Sequence, residues 1–270
     1  MGYTDEYIRE LAELTTGQST NIRWRLERVG RIMSTAAYLL IPFSYKILEF
    51  ERSGCRSIPY WLERDINFHI KCFNKFNNYE NIPEIKWGID HENEGIRAYV
   101  SRTGYSVKPT GLWISPSGSM SSSPDGLIYT EDENRPAGIL EVKCPFRFRF
   151  NKYMSKYDFM KLEYLNPDLS LRRDHKHYHR AQAEMYATRT KWCDFVVWTP
   201  ADMLVTRVHL EPEWVEKNVP LIDYVFNNYL IHGSNKKEEI ESGRRLLPPN
   251  LSRAPNNGLY RNALKRKHQP

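Results

Sequence analysis

The chain has 270 residues, enough for one large domain or two small ones with a sizeable hydrophobic core. Its 39 Lys and Arg residues against 33 Asp and Glu give a net charge of +6, which favours nucleic acid as a partner but also suits a slightly basic enzyme. The longest apolar run, Ala36–Phe43, is far shorter than the ~20 residues of a transmembrane helix, so we expect no membrane contact.

The hydrophobic pattern predicts alternating helical and extended regions. Helical spacing favours helices over residues 23–40, 58–76 and 87–102, the last ended by Gly104. Short apolar runs predict a meander of strands at 111–114, 127–129 and 138–144. A helix over 175–190, a hairpin of strands 193–198 and 204–210, and a helix over 214–230 follow. This order predicts an α/β fold with a mixed central sheet flanked by helices, and a polar, basic, mobile tail over 233–270.

The informative segments are Ser123-Pro124-Asp125-Gly126-Leu127 and Ile139-Leu140-Glu141-Val142-Lys143-Cys144-Pro145. Side chains alternate along a strand, so Glu141 and Lys143 share one face. A carboxylate and an amine on a mostly buried strand are costly unless something needs them there. Asp125 precedes the neighbouring strand, where a turn can aim its carboxylate at Glu141. Two carboxylates and the Val142 carbonyl make a hard-oxygen site suited to Mg²⁺, while Lys143 can orient a water molecule.

A Glu-x-Lys triplet alone carries little information, because a salt-bridged strand edge explains it equally well. The chain contains a second such triplet, Glu84-Ile85-Lys86, which has no Pro-Asp partner a hairpin away. The combination of Asp125 with Glu141 and Lys143 on neighbouring strands is what indicates a metal site that acts on a phosphate.

These segments resemble the core of the phage lambda-type exonucleases, the YqaJ viral recombinase family within the PD-(D/E)xK nuclease superfamily. The resemblance extends from about Trp24 to Leu230 and implies a restriction-endonuclease-like core, with residues 1–232 forming one nuclease domain. Trp87-Gly88, followed by His91-Glu92, is similar to the family helix that brings a glutamate close to the metal, so the resemblance implies a metal-binding role for Glu92.

The resemblance also implies roles for residues outside the two central segments. Trp24, Arg28 and Gly30 match the family's N-terminal pattern, so Arg28, Ser34 and Thr35 are expected to hold a 5′ phosphate. Ile32-Met33-Ser34 departs from the usual Ile-Thr-Ala, which leaves Thr35 as the better-placed hydroxyl. If residues 23–40 form one helix, Arg28 and Thr35 lie two turns apart on one face.

The helix over 175–190 matches the family helix that packs against the active site. That helix usually carries two glutamines two positions apart. Here they are Arg180 and Gln182, of which Gln182 is expected to support catalysis. His175, His177 and His179 alternate, and on a helix they spread around the axis, which favours a solvated helix start or a phosphate contact over a metal site.

The sequence therefore predicts a Mg²⁺-dependent deoxyribonuclease, in which Mn²⁺ can substitute, that digests linear double-stranded DNA from its 5′ end. The alternatives are a structure-specific or restriction-like endonuclease and a catalytically silent DNA-binding homologue. The resemblance implies a single-strand annealing protein as partner and ring-shaped homo-oligomers. Four widely spaced cysteines without a signal peptide suit a reducing compartment, so we expect an intracellular protein, nuclear or cytoplasmic. The tail's Lys265-Arg266-Lys267 is compatible with a nuclear protein.

Overall fold

Residues 2–54 are mainly helical, interrupted by one very short strand. The computed structural model describes residues 2–54, 82–132 and 135–230. Helix α1 spans Asp5–Leu14, a 3-10 turn covers Gln18–Thr20, and α2 spans Ile22–Arg28. Strand β1 spans Ile32–Met33, and α3 spans Ser34–Arg52.

The single helix predicted over residues 23–40 is wrong, because the chain breaks between α2 and α3. Gly30 has a φ of +79°, a left-handed conformation that glycine adopts without steric cost. Ile32 then pairs with Met120, so this stretch of backbone joins a sheet. Arg28 and Thr35 therefore lie on different helices rather than on one helical face.

Helix α4 spans Pro83–Thr103 and ends as the sequence predicts, with Gly104 in the left-handed conformation at its C-terminus. The triplet Glu84-Ile85-Lys86 lies in its first turns, exposed and helical rather than in a strand. Gly95 packs so closely on the strand Gly138–Lys143 that an added Cβ would lie 2.6 Å from a Val142 methyl group. The absence of a side chain at Gly95 therefore lets α4 pack closely on the central sheet.

Five strands form the central mixed sheet, in the order β2-β5-β6-β7-β8. The pair β6–β7 is parallel, whereas the other three neighbouring pairs are antiparallel. The strands are β2 (Ser106–Lys108), β5 (Gly126–Tyr129), β6 (Gly138–Lys143), β7 (Trp192–Trp198) and β8 (Met203–His209). This sheet confirms the predicted α/β class.

A smaller sheet joins the N-terminal segment to the middle of the chain, in the order β1-β4-β3. Strand β3 spans Trp113–Ile114 and β4 spans Met120–Ser122. The sequence predicts neither β1, β2 nor β4, since strands of two or three residues are too short to show alternation.

Helices cover both faces of the central sheet. Leu140 and Val142 pack on the α4 side, together with Tyr99. Ile139 and Phe195 belong to the main core on the opposite side, which includes buried residues of α6 (Lys176–Thr188). Also present are a 3-10 turn at Phe146–Phe148, α5 (Lys156–Phe159), α7 (Pro212–Val225) and a π-helical turn at Phe226–Leu230. Glu141 lies two residues after Ile139 and therefore on the same face of β6, the face that points toward α6.

Some predictions fall outside the described residues: the helix over 58–76, the tail over 233–270 and its Lys265-Arg266-Lys267 run. Within the described ranges, no helix combines the length and apolarity needed to cross a bilayer.

Candidate active site

The end of β6 and the turn before β5 bring Asp125 beside Glu141. The Asp125 amide donates to the Leu140 carbonyl at 3.1 Å, and the Val142 amide donates to Asp125 Oδ2 at 2.6 Å. These two bonds bracket Glu141 on the neighbouring strand. Burial and the negative charge of Glu141 raise the pKa of Asp125 to about 6, as expected for two close carboxylates.

Glu141 and Lys143 share one face of β6, as strand alternation predicts. Lys143 Nζ lies 2.5 Å from Glu141 Oε1 and donates to the Val142 carbonyl at 2.9 Å. Burial opposes the charged form of Lys143, but the carboxylates of Glu141 and Asp125 outweigh it and raise its pKa. The ammonium group is therefore charged and held at the end of the strand, next to both carboxylates.

Arg180 of α6 is the second cation on Glu141, and the sequence assigns it no role. Its Nη1 lies 2.7 Å from Glu141 Oε1, and its Nε lies 2.8 Å from Glu184 Oε1. Asp125 Oδ1 is 4.0 Å from Nη2. Burial opposes the charged form of the guanidinium, but Glu141 and Glu184 outweigh it and raise its pKa. Arg180 thus takes a central position in the site where the family usually has a glutamine.

Glu184 is a site residue that sequence reasoning missed. It lies one helical turn after Arg180, is fully buried, and accepts a hydrogen bond from the Ser34 hydroxyl at 3.1 Å. Burial raises its pKa to about 8, so it is largely protonated at neutral pH. The i,i+4 spacing of Arg180 and Glu184 is the sequence feature that could have identified Glu184. It carries little weight, because such pairs on helices are usually solvent-exposed.

Glu92 approaches the site from α4. Burial first, and then the charge of Asp125, raise its pKa to about 7, while Lys143 partly counteracts this shift. The structure therefore brings Glu92 into the same electrostatic environment as the carboxylate pair.

Gln182 does not join the carboxylates. Its Nε2 donates to the His209 carbonyl at 2.8 Å, and its Oε1 accepts from the Glu211 amide at 2.9 Å. Residues two apart on a helix point in different directions, so Arg180 and Gln182 cannot both face β6. The geometry places Gln182 at the junction between β8 and α7, and its expected support of catalysis stays a prediction.

Arg28 lies at the end of α2, close to the turn that carries Asp125. Its guanidinium lies over the Trp24 ring at 3.9 Å, and the Trp24 indole donates to Ser123 Oγ at 2.7 Å. Its Nε contacts Met33 Sδ at 3.1 Å, and burial lowers the pKa of Arg28 to about 10. These contacts place the guanidinium at the border between α2 and β1.

Ser34 and Thr35 occupy the first turn of α3 but face different surroundings. Ser34 is buried and its hydroxyl is committed to Glu184, which corrects the prediction that it holds a phosphate. Thr35 is exposed, as a phosphate contact requires. The first turn of an α-helix also presents backbone amides that no residue of the helix accepts.

The three alternating histidines comprise a contacting pair, His175 and His177, whose ring centres lie 4.8 Å apart, and His179, which packs against Trp214. His175 caps the start of α6 through its Nδ1, which accepts from the His177 amide. His179 Nδ1 accepts from the Trp214 indole at 3.0 Å. Burial lowers the pKa of His177 to about 2 and that of His179 to about 4, so both rings are neutral. Their contacts are structural rather than directed toward a common point.

The donor set of the site fits a hard divalent cation. Glu141 Oε2 is buried and accepts no hydrogen bond from the described residues. A cation between Glu141 and Asp125 would relieve the repulsion that raises the pKa of Asp125. In the described part of the chain, no three or more His, Cys, Asp or Glu side chains are already spaced for a metal. Lys143 and Arg180 instead balance the charge of Glu141.

Comparison with known proteins decides the family. The YqaJ-like viral recombinase domain matches residues 46–188. The chain belongs to this family. Because that match covers both segments that carry Asp125, Glu141 and Lys143, the resemblance inferred from them is confirmed. A search of curated proteins finds no match.

Solved structures of similar fold support the assignment. The alkaline exonuclease LHK-Exo from Laribacter hongkongensis aligns with 90% of this chain and 98% of its own, at 17% identity and a TM-score of 0.53. Its complex with dAMP gives the same coverage, 18% identity and a TM-score of 0.52. A SOX–DNA complex aligns with 82% of this chain and 70% of its own, at 9% identity and a TM-score of 0.53. At these identities the similarity establishes the alkaline exonuclease fold.

Proposed function

We propose that this YqaJ-family chain is a Mg²⁺-dependent deoxyribonuclease that digests linear double-stranded DNA from the 5′ end. The observation that carries this proposal is the convergence of Asp125, Glu141 and Lys143 at the end of β6. Asp125 accepts a hydrogen bond from the β6 backbone at 2.6 Å, and the Lys143 ammonium lies 2.5 Å from the Glu141 carboxylate. The family membership and the exonuclease fold support it.

Asp125, Glu141 and the Val142 carbonyl would hold Mg²⁺ or Mn²⁺, with Glu92 assisting. When bound, the cation supplies Lewis-acid activation and charge neutralisation at the scissile phosphate. Lys143 keeps its proton, orients the attacking water and offsets charge that develops on the phosphate. Burial and the charge of Asp125 raise the pKa of Glu92 to about 7, and a bound cation would favour its ionised form.

The proposed 5′-phosphate site consists of Arg28, Thr35 and the N-terminus of α3. A guanidinium and the free amides of a helix N-terminus are both suited to a terminal phosphate. Arg28 lies beside Trp24, whose indole is hydrogen-bonded to Ser123 in the turn that precedes Asp125. An end held there would lie next to the carboxylates.

Three further proposals come from the family resemblance alone. Residues 1–232 form one nuclease domain, the chain assembles into rings, and a single-strand annealing protein is its partner. A size measurement of the purified chain tests the assembly, and co-purification with an annealing protein tests the partner.

The decisive experiment incubates a 5′-phosphorylated linear plasmid and its closed circular form with purified protein and Mg²⁺. We expect steady loss of the linear form, release of mononucleotides and survival of the circle. Cutting of the circle would favour an endonuclease, and DNA binding without any cleavage would favour a silent homologue. A parallel reaction with EDTA should stop digestion, and Mn²⁺ should restore it.

A further inference from the structure

A cationic and aromatic segment follows the catalytic strand and takes no part in the site. We call residues 146–157 the cationic aromatic segment. Its exposed rings are Phe150, Tyr153 and Tyr157, with 80%, 86% and 74% of their surface exposed. Phe150 and Tyr153 are the two most exposed large apolar side chains in the described part of the chain. Rings kept this exposed on a soluble surface indicate a binding partner.

The charge of this segment is uniformly positive. It contains Arg147, Arg149, Lys152 and Lys156, and no acidic residue. The next acid, Asp158, is engaged by Ser155 and Lys161 rather than by these four cations. Aromatic rings alternate with cations along the segment, a pattern that suits a phosphate backbone with accessible base faces.

Stacking contacts connect the exposed rings to the active site. The Arg149 guanidinium lies 3.6 Å from the centre of the Phe146 ring and 4.4 Å from that of Phe150. Phe146 packs edge-on against Trp87 of α4, at 6.2 Å between ring centres. Trp87 stacks on His91 at 3.6 Å, directly before Glu92. A continuous series of stacked groups thus runs from the exposed Phe150 to the helix that carries Glu92.

We propose that the cationic aromatic segment binds single-stranded DNA, with unpaired bases stacked on Phe150, Tyr153 and Tyr157 and the backbone neutralised by the four cations. Duplex DNA hides its base faces, so these rings favour an unpaired strand. The position of the segment, immediately after Lys143-Cys144-Pro145, lets it hold a strand that leaves or approaches the site. The proposal rests on the proposed nuclease function only for the source of that strand.

The test measures binding without cleavage. Full-length protein in EDTA is titrated against a fluorescent single-stranded oligonucleotide and a duplex of equal length. Replacing Phe150 or Tyr153 by alanine should each weaken single-strand binding at least about fivefold, with a smaller effect on the duplex. Quenching of 2-aminopurine in the oligonucleotide should also decrease, because it reports base stacking.

Matched variants distinguish ring stacking from nonspecific apolar contact and from charge attraction. Tyr153→Phe keeps the ring and should bind like the wild type, whereas Tyr153→Leu keeps apolar bulk without a flat ring and should bind like Tyr153→Ala. Lys152→Gln should lower the salt dependence of binding, by about 0.7 in log–log slope per lost phosphate contact, while the ring variants leave it unchanged. Thermal melting confirms that each variant folds.

Several outcomes would overturn the proposal. Wild-type binding by the alanine variants excludes a stacking role, and wild-type binding by Tyr153→Leu shows that apolar bulk rather than ring stacking holds the DNA. Equal loss of single-strand and duplex binding indicates a nonspecific cationic surface. Because the assay contains no metal, failure of cleavage in Mg²⁺ would count against the proposed function and leave this measurement unaffected.

Discussion

Replacing Arg180 by glutamine tests whether a buried internal cation holds the active-site carboxylates together. The guanidinium contacts Glu141 at 2.7 Å and Glu184 at 2.8 Å, and these two carboxylates are 1% and 0% exposed. Removing one partner of a buried ion pair costs about 3–5 kcal/mol, because a charge remains without compensation. Glutamine removes the charge, keeps a polar side chain and is smaller than arginine.

The loss should depend on pH, and its sign follows from Glu184. Its pKa is already raised to about 8 by burial, against about 4.5 when exposed. The folded state therefore holds this proton more tightly than the unfolded state, and stability falls as pH rises through that window. Without Arg180 the pKa of Glu184 rises further. At pH 6 Glu184 stays protonated in both proteins and limits the loss, whereas at pH 9 the wild type keeps an ion pair that the variant lacks.

Thermal unfolding in EDTA at pH 6 and pH 9 measures this difference. A loss of about 3 kcal/mol corresponds to a decrease in Tm of roughly 6–12 °C for a domain of this size. The control is Arg172→Gln, because Arg172 pairs with Asp174 at 2.7 Å on the surface. Exposed pairs contribute about 0–1 kcal/mol, so the control should melt close to the wild type.

Divalent cation provides an independent check. Added Mg²⁺ should raise the Tm of Arg180→Gln more than that of the wild type, since it replaces the missing positive charge beside Glu141. The reasoning is refuted if Arg180→Gln melts within about 1 °C of the wild type at pH 9, or if its loss is the same at both pH values.

Three further predictions test the proposed roles by digestion of linear DNA. Glu141→Gln and Asp125→Asn should abolish Mg²⁺-dependent cleavage and keep DNA binding, and full activity in either variant would contradict the metal site. The control is Glu84→Gln, which should retain activity because Glu84 is the exposed glutamate of the other Glu-x-Lys triplet. Lys143→Ala should lower turnover by orders of magnitude with little change in metal affinity, and wild-type rates would exclude the proposed role of Lys143. Lys143→Arg should not restore activity fully, because a guanidinium is bulkier than an ammonium. Arg28→Ala should slow digestion of a 5′-phosphorylated duplex roughly 10- to 100-fold more than that of a 5′-hydroxyl duplex, whereas equal slowing would indicate a nonspecific contact.

Sequence alone determines the catalytic strand, because its information is local. Alternation along β6 places Glu141 and Lys143 on one face, and an apolar run bounded by turn residues is enough to predict the strand. Gly104 ends α4 for an equally local reason, the left-handed backbone that glycine permits. The sequence around Glu84-Ile85-Lys86, which lacks a Pro-Asp partner, distinguishes this triplet from Glu141-Val142-Lys143, and it lies in a helix.

The surroundings of Glu141 are decided only by tertiary packing. Ser34 comes from α3, and Arg180 and Glu184 come from α6. These side chains meet because the two helices, far apart in sequence, pack against each other beside β6. Arg180 faces β6 whereas Gln182 bonds the segment between β8 and α7, because residues two apart on a helix point in different directions. The break between α2 and α3 is likewise set by pairing of Ile32 with Met120, a contact between distant segments that no local pattern contains. Local periodicity thus fixes which side chains share a face, whereas long-range packing fixes which charges each face meets.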